Sequence, residues 1–522
     1  MASSRFDQFL QWRATTEDPF VELDVSLAGL TDADLAQRAP AFAKALTAMQ
    51  ALEGGAIANA DEKRQVGHYW LRAPAHAPDA AVGEEILANV QRIERFAIDV
   101  HAGRVRPPDG ERFTKVVMVG IGGSALGPLL LADAFARPDA PATFFLFDNT
   151  DPDGMDRELA RIGSLSDALI LVASKSGGTP ETRNGMAELQ DACKRSGVMF
   201  PARAVALTMP GSALHRLAEE EGWLAAFPVW DWVGGRTSLF ASVGLLPAAL
   251  LGIDVRGLLA GAAAMDTATR RTELRTNPAV LLALLWHVQG GGRGDKAMVV
   301  LPYKDRLLLL SRYLQQLVME SLGKRLDRRG KVVHQGLSVY GNKGSTDQHA
   351  FVQQLRDGRA DFFAVFVRVL RGRAGPSPIV GDGATSEDFL SGFWQGTRAA
   401  LHEADRASAT LTIAQLDERS FGAVIALFER AVGLYAELID VNAYHQPGVE
   451  AGKKAAADVL HLQREVEAAL DATPRSCVEI AQTIAADPYD VWPILQHLSA
   501  NRDAIRRVGG DDPLESRFVR WK

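Results

Sequence analysis

The spacing of apolar residues changes character near residue 115. Before that point, apolar residues recur every three or four positions between polar joints, as helices require. The segment Gly83–Arg95 is typical, since Ile86, Leu87, Val90 and Ile93 are spaced for one face of a helix. This pattern predicts an N-terminal helical segment over residues 1–100.

From Lys115 onward, short runs of β-branched and aromatic residues alternate with helical patterns. The runs read KVVMVG, ATFFLFD, ALILVAS and AVALTM. A second series begins with KAMVVLPY (Lys296–Tyr303), followed by a long helix from Asp305 and the strand DFFAVFVRVL (Asp361–Leu370). Apolar strands interleaved with amphipathic helices indicate parallel sheets covered on both faces. The predicted fold class is therefore α/β, with two parallel-sheet domains.

The remaining chain reads as helical. Helices are predicted over Ser420–Ala443 and Val449–Leu470, and the composition of Arg371–Ala384 is typical of a linker or surface loop. We predict four segments: an N-terminal helical segment (1–100), a first α/β domain (101–255), a second α/β domain (256–445) and a C-terminal helical segment (446–522).

Composition excludes several classes of function. The chain has 522 residues and a net charge of −7, which disfavours non-specific nucleic-acid binding but leaves room for a local anion site. Two cysteines, Cys193 and Cys477, do not make a disulfide framework or a CxxC metal site. The N-terminus lacks a signal-peptide core, and no apolar run reaches the length of a membrane span. We expect a cytoplasmic protein without membrane or nucleic-acid partners.

Two loops share one design: a buried strand, a turn rich in glycine and hydroxyl groups, then a helix. They lie within Val116–Gly127 (VVMVGIGGSALG) and Leu169–Thr182 (LILVASKSGGTPET). Glycines let the backbone approach an anion, and the N–H groups at the start of a helix favour negative charge. The candidate phosphate-binding residues are Gly122, Gly123, Ser124, Ser174, Lys175, Ser176 and Thr179.

The first loop alone has other interpretations. Gly120, Gly122 and Ala125 also fit a dinucleotide fingerprint, and Asp148 ends the next strand where a ribose-binding acid would lie. The glycines could equally serve a tight turn from strand to helix. The hydroxyl-rich second loop favours a terminal phosphate monoester over a bridging pyrophosphate.

Motifs along nearly the whole chain resemble those of the glucose-6-phosphate isomerase family. They are ANADEKRQVGHYWLR (Ala58–Arg72), GIGGSALGP (Gly120–Pro128), SKSGGTPET (Ser174–Thr182), DWVGGRTS (Asp231–Ser238), QQLVMESLGK (Gln315–Lys324), TDQHAF (Thr346–Phe351) and YHQPGVEAGK (Tyr444–Lys453). The resemblance implies two sugar-isomerase (SIS) domains of three-layer αβα type. It also implies a phosphosugar substrate, no metal and no organic cofactor.

The family's reaction interconverts glucose 6-phosphate and fructose 6-phosphate through a cis-enediolate, in glycolysis and gluconeogenesis. The resemblance makes Glu320 the base that moves a proton between C1 and C2. We place Glu320 one helical turn after Gln316, on the same face. Arg236 follows two glycines, and its fixed charge would stabilise the enediolate.

Further roles come from the resemblance alone. His349 and Lys453 correspond to the family's ring-opening residues, and an imidazole can donate and accept a proton near neutral pH. Gln316 and Gln446 correspond to glutamines that hydrogen-bond the substrate. The family also implies a homodimer with shared active sites, in which His349 reaches the partner subunit's site.

Three alternatives remain at this stage. One is an NAD-dependent dehydrogenase, based on the first loop and Asp148. Another is a non-catalytic phosphosugar sensor, which would keep phosphate loops without the Glu, His and Lys set. The third is dual action on mannose 6-phosphate.

Overall fold

The computed structural model describes residues 4–521, except for the side chains at positions 449–451, 453 and 454. The chain divides into two units, one ending at His445 and the other running from Gln446 to the C-terminus. Within the described residues, no helix is long and apolar enough to cross a bilayer.

The strands lie mostly in the first unit. Their bounds are β1 Arg13–Glu17, β2 Phe20–Asp24, β3 Lys115–Val119, β4 Thr143–Phe147, β5 Ala168–Ala173, β6 Ala204–Thr208, β7 Ala225–Pro228, β8 Ala297–Pro302, β9 Lys324–Leu326, β10 Val332–Gln335, β11 Val339–Tyr340, β12 Phe362–Arg371, β13 Ile379–Gly381, β14 Ala384–Thr385, β15 Ser408–Gln415, β16 Ile505–Val508 and β17 Arg517–Arg520.

Helices cover both main sheets and form most of the second unit. Their bounds are α1 Arg5–Gln11, α2 Asp32–Glu53, α3 Ala80–His101, α4 Gly123–Ala134, α5 Pro152–Ile162, α6 Pro180–Arg195, α7 Ala213–Glu220, α8 Ser242–Leu250, α9 Val255–Thr269, α10 Pro278–Gln289, α11 Leu310–Leu314, α12 Val352–Asp357, α13 Ser386–Glu403, α14 Glu418–Leu438, α15 Pro447–Ala469, α16 Cys477–Thr483 and α17 Pro488–Asn501.

The first main sheet is parallel throughout, in the order β4-β3-β5-β6-β7. Every residue of β5 is buried, because helices cover both faces of the sheet and remove the usual alternation. Successive residues nevertheless face opposite sides: Val116 and Met118 join one core, and Val117 and Val119 join the other. The apolar runs of the sequence predicted these strands.

The second main sheet has the order β1-β2-β15-β12-β8-β11. Its strands β15, β12, β8 and β11 are parallel, whereas β1 and β2 form an antiparallel hairpin added at one edge. The prediction of an α/β fold with two parallel-sheet domains is confirmed. The mostly helical interpretation of residues 1–100 missed the β1–β2 hairpin. Its alternation of buried and partly exposed residues, with Ala14, Val21 and Leu23 inside, is that of strands.

The long helix predicted from Asp305 is wrong in detail. The segment consists of a 3₁₀ turn (Asp305–Leu307), the short helix α11 and a π-helical turn (Gln315–Glu320). After Gly323 the chain becomes strand β9, which pairs with β10. Glycine has no side chain to support the helical conformation, so the helix ends there.

Shorter strands occupy two other segments that we predicted as loop or helix. The linker candidate Arg371–Ala384 includes β13, which pairs with β14. The second unit, predicted as helical, also contains the antiparallel hairpin β16–β17, packed on α17.

Buried charges cross-link distant parts of the first unit. Asp266 accepts from the guanidinium groups of Arg72 and Arg430, at 2.7 Å in each case. Arg72 also pairs with Glu429, and Arg430 with Glu53. These contacts join residues near the N-terminus to α9 and α14. Removing one member of a buried pair would leave the charge of the other without compensation, so each substitution here should destabilise the fold.

Candidate active site

The first predicted phosphate loop connects β3 to α4. Gly122 has φ = +58°, a conformation that glycine adopts without strain. A Cβ atom on Gly123 would lie 1.9 Å from the carbonyl oxygen of Gly235, so this position must be glycine for the two loops to touch. The N-terminus of α4 is thereby held against the loop that carries Arg236.

Arg236 lies in a 3₁₀ turn and is almost fully buried. Its Nη2 atom donates to the carbonyl oxygens of Ala443 and His445, at 2.8 and 2.9 Å. Its Nη1 atom lies 3.0 Å from Oε2 of Glu320. Because two backbone acceptors hold the guanidinium fork, its charge toward Glu320 is fixed in direction.

The π-helical turn Gln315–Glu320 brings a second polar group to the same place. A Cβ atom on Gly122 would lie 3.1 Å from Nε2 of Gln316, so the Gln316 amide rests against the first loop. Oε2 of Glu320 is buried and, within the described part of the chain, accepts no well-aligned hydrogen bond. The charged neighbour of this oxygen is Nη1 of Arg236, in the ion pair described above. π turns are frequent at functional sites, and this one presents both predicted residues.

Lys324 is a charged neighbour that the sequence interpretation did not nominate. Its ammonium group is buried and donates to the backbone carbonyl oxygen of Glu320 at 2.6 Å. Burial lowers the pKa of Lys324 to about 7; the charge of Arg236 acts in the same direction and that of Glu320 against it. Its position four residues after Glu320 was visible in the sequence, but its burial was not.

The second predicted phosphate loop follows β5, which pairs with β3. Oγ of Ser174 donates to Oγ1 of Thr179 at 3.2 Å and accepts from the N–H of Gly177 at 3.1 Å. Oγ of Ser176 accepts from the N–H of Gly178 at 3.2 Å, and Ser176 is exposed. Ser174 therefore braces the loop from inside, whereas Ser176 is open to an incoming anion.

Lys175 in the same loop points away from its own turn. Its Nζ atom donates to the carbonyl oxygens of Asp231 and Val233, at 2.5 and 3.0 Å. Burial lowers the pKa of Lys175 to about 8, with the charge of Arg64 adding to the effect. Lys175 thus ties the second loop to the segment that leads into Arg236.

His349 belongs to the segment between β11 and α12. It ends a 3₁₀ turn beyond the edge strand β11, and its side chain is exposed. Asp347 braces this turn by accepting from the backbone N–H groups of Asn342 and Lys343, at 2.9 and 3.0 Å. Asp347 was also missed from the sequence, because only the folded turn shows what it holds.

Gln446 and Lys453 belong to the second unit. Gln446 precedes the first turn of α15, and Lys453 lies on that helix. The side chain of Lys453 is among those outside the described residues. Both assignments stay predictions.

The two residues behind the dinucleotide interpretation have neighbours within the protein. A Cβ atom on Gly122, the fingerprint glycine that would face a pyrophosphate, would lie 3.1 Å from Nε2 of Gln316. Asp148, the candidate ribose ligand, lies 3.5 Å from Nη2 of Arg312 in an ion pair. Separately, Oε2 of Glu181 beside the second loop is buried without a hydrogen-bond partner in the described structure, and we assign it no role.

Comparison with known proteins agrees with this geometry. The family model described as phosphoglucose isomerase matches residues 33–401 and 396–476. A glucose-6-phosphate isomerase of Synechococcus elongatus is 53% identical over 527 residues, covering 100% of this chain and 99% of the relative. One from a Geobacter species is 56% identical over 489 residues, covering 92% of each.

A solved structure extends the comparison to the fold. The crystal structure of a glucose-6-phosphate isomerase from Chlamydia trachomatis superposes with a TM-score of 0.79 at 25% identity, covering 88% of this chain and 91% of that one. The family match spans most of the sequence, and the relatives match it nearly end to end. The chain belongs to the phosphoglucose isomerase family.

Proposed function

We propose that the protein is a glucose-6-phosphate isomerase that interconverts glucose 6-phosphate and fructose 6-phosphate. The observation that carries the proposal is the Glu320 carboxylate 3.0 Å from the buried, doubly anchored Arg236, beside a glycine loop. A base and a fixed cation at one place are what an enediolate reaction requires. Family membership supports the same assignment.

The proposed reaction needs only groups of the protein. Glu320 takes the proton from C2 of the open-chain aldose, and the electron pair of that bond forms the C1–C2 double bond of the enediolate. Arg236 stabilises the negative charge that develops on oxygen. Glu320 returns its proton to C1, the hydroxyl proton moves from O2 to O1, and C2 becomes the ketone. Electrons move only within the substrate, so the reaction balances without an external acceptor.

Other roles complete the proposal. The two loops after β3 and β5 hold the phosphate, and Gln316 and Gln446 hydrogen-bond the sugar. His349 and Lys453 open the ring before proton transfer. We assign residues 101–255 and 256–445 to the two sugar-isomerase domains, and we place the protein in the cytoplasm with its phosphosugar substrate.

The direct test is conversion of fructose 6-phosphate to glucose 6-phosphate by the purified protein. Product is followed by NMR, without NAD and after exhaustive EDTA treatment. We expect full activity under both conditions and, in heavy water, deuterium in the product pool. An activity that stops on chelation and returns with a divalent ion would contradict the proposal.

The phosphate loop is tested with Ser176→Asp. A carboxylate at this exposed position repels the phosphate dianion, so binding of 6-phosphogluconate and of substrate should weaken together, whereas unphosphorylated glucose binds poorly to the parent protein. Ser164→Asp, an exposed position before the opposite end of β5, is the matched control. Equal affinity of the parent protein for glucose and glucose 6-phosphate would contradict the assignment of this loop as a phosphate-binding site.

Assembly is a separate part of the proposal: a homodimer in which His349 acts in the partner's site. The exposed position of His349 on its own turn supports this arrangement. Glu320→Gln and His349→Ala chains, each nearly inactive alone, should regain activity when mixed, up to one working site per mixed dimer. Tag pull-down verifies that mixed dimers form. If they form and remain inactive, His349 does not act in trans.

A further inference from the structure

The second main sheet has a crevice of its own, at the carboxyl ends of β8 and β12. The cavity measures about 620 Å³. Tyr303 and Lys304, which follow β8, form one wall, and Arg368, near the end of β12, forms another. The remaining wall is the first half of α13. In open α/β sheets the carboxyl ends of the strands are where ligands bind, so this crevice has the position of a binding site.

Basic groups dominate the walls of this crevice. Its basic side chains are Lys304, Arg306, Arg368 and Arg373, and its acidic ones are Asp305 and Glu387. This excess of positive charge stands out in a chain whose net charge is −7. Burial lowers the pKa of Lys304, chiefly through desolvation, so an anion placed next to it would be stabilised.

Three polar atoms around the crevice lack a hydrogen-bond partner in the described structure. They are Nε of Arg306, Oε1 of Glu387 and Nε1 of Trp394, and all three are buried. Trp394 is only 6% exposed. Oε1 of Glu387 lies 3.9 Å from Nε of Arg373 in an ion pair, so the nitrogens of Arg306 and Trp394 are the atoms left for a ligand or ordered water to satisfy. Both nitrogens are donors.

Aromatic surface adjoins these charges. Phe389 and Phe393 lie one turn apart on α13, remain 40% and 46% exposed, and have ring centroids 6.4 Å apart. The guanidinium of Arg368 covers the ring of Trp394 at 4.4 Å. A ligand that carried only a phosphate and hydroxyl groups would leave the two phenylalanine rings uncovered. A flat apolar group would cover them.

We propose that this crevice binds a small anion that carries a flat, apolar group, of the nucleoside monophosphate class. The phosphate pairs with Lys304, Arg306 and Arg373, and the base lies on Phe389 and Phe393. This site differs in chemistry from the phosphate loops of the first sheet, where backbone N–H groups and hydroxyls provide the donors. The inference does not depend on the proposed function, since none of its residues belongs to the isomerase site.

The test is isothermal titration of the full chain with adenosine 5′-monophosphate, with 6-phosphogluconate present in excess to occupy the substrate site. Adenosine and inorganic phosphate are titrated separately as the two halves of the probe. We expect each half to bind at least ~10-fold more weakly than the intact probe, because each satisfies only one wall of the crevice.

Two surface variants test the location. Arg373→Glu reverses a charge in the crevice, and Phe389→Ala removes an exposed ring; each should weaken binding at least ~10-fold. Arg371→Glu is the matched control, because Arg371 is exposed two residues before Arg373 and does not line the cavity. It should change the affinity less than ~2-fold. Thermal melts verify that all three variants fold.

Four results would overturn the inference. One is no binding of the probe at millimolar concentration, and another is its displacement by 6-phosphogluconate, which would place it in the substrate site. An equal loss of affinity in Arg371→Glu would show a diffuse charge effect. Binding of inorganic phosphate as tight as that of the whole probe would remove the role of the aromatic wall.

Discussion

The carboxyl ends of the two main sheets carry different kinds of polar groups. At the first sheet, β3 and β5 end in loops of glycine and hydroxyl residues, and the lysine of the second loop, Lys175, is turned onto backbone carbonyls. At the second, Lys304 follows β8 and Arg368 lies near the end of β12, beside aromatic rings. One topology can thus present either backbone donors or side-chain cations. Backbone donors require glycine at close contacts, as at Gly123.

The two sheets do not contribute equally to the candidate active site, although each supplies one member of the pair Arg236 and Glu320. Arg236 comes from the turn after β7 of the first sheet, and Glu320 from the π turn after β8 of the second. The two side chains meet next to the first loop of the first sheet. We therefore expect catalysis to be sensitive to changes at the first edge and, His349 apart, insensitive to exposed changes elsewhere.

The largest effect is expected from Glu320→Gln. The amide keeps the shape of the carboxylate but cannot accept the substrate proton, so kcat should fall by roughly 10²–10⁴-fold with substrate binding largely kept. Glu188→Gln, an exposed change on α6 behind the second loop, is the control. Near-normal turnover in a folded Glu320→Gln protein would remove Glu320 from its role.

Arg236→Lys tests whether the fixed guanidinium fork, and not charge alone, matters. A lysine keeps the charge but cannot donate simultaneously to Ala443, His445 and the reacting oxygens in one plane. The rate constant kcat should fall by about 10²–10³-fold, the usual loss for one preorganised oxyanion donor. Steady-state kinetics decide: a loss confined to KM would mean that Arg236 only binds substrate.

Gly123→Ala tests the contact between the first phosphate loop and the Arg236 loop. Its new methyl group would lie 1.9 Å from the Gly235 oxygen, so one loop must move. Overpacking of this kind is destabilising by about 1–3 kcal/mol, and we expect kcat/KM to fall by about tenfold or more. Gly375→Ala is the control, since nothing lies within 4 Å of the point that its added methyl group would occupy. Equal activity of the two variants would show that the contact between Gly123 and the Arg236 loop does not matter for catalysis.

The smallest effect concerns stability, through Lys324→Met. A lysine with a pKa of about 7 when folded and 10.5 when unfolded binds its proton less well in the native state, so it makes stability rise with pH between these values. Between pH 7 and 9 this contribution is about 2 kcal/mol. Urea midpoints should rise less with pH in Lys324→Met than in the parent or in Lys194→Met, an exposed control. If the urea midpoints of Lys324→Met and the parent depended on pH in the same way, the pKa of Lys324 would not be lowered in the folded protein.

The sequence predicted the parts of this fold that are local. Runs such as Ala168–Ala173 are apolar throughout, and this length and composition suffice to predict a buried strand. The hairpin β1–β2 escaped prediction because its partner β15 lies almost 400 residues away. The π turn escaped because the spacing of Gln316 and Glu320 fits an ordinary helix equally well.

The site was predicted unevenly for the same reason. The glycines of the first loop were found from spacing, but the contact between Arg236 and Glu320 joins separate segments and was suggested only by family resemblance. The burial of Lys324 and the inward turn of Lys175 depend on neighbours that fold around them. His349 and Lys453 stay predictions that rest on their motifs.

The pairing of β2 with β15 has a consequence for how the protein is made. The ribosome releases Phe20–Asp24 long before Ser408–Gln415, roughly 20–80 s earlier at ordinary rates of translation. During that interval β15 has not been synthesised, so the hairpin cannot pair with it. Arg72 likewise lacks Glu429, its ion-pair partner from the far end of the first unit. The N-terminal hairpin is thus synthesised first, but its contacts with the second sheet form only after most of the chain has been made.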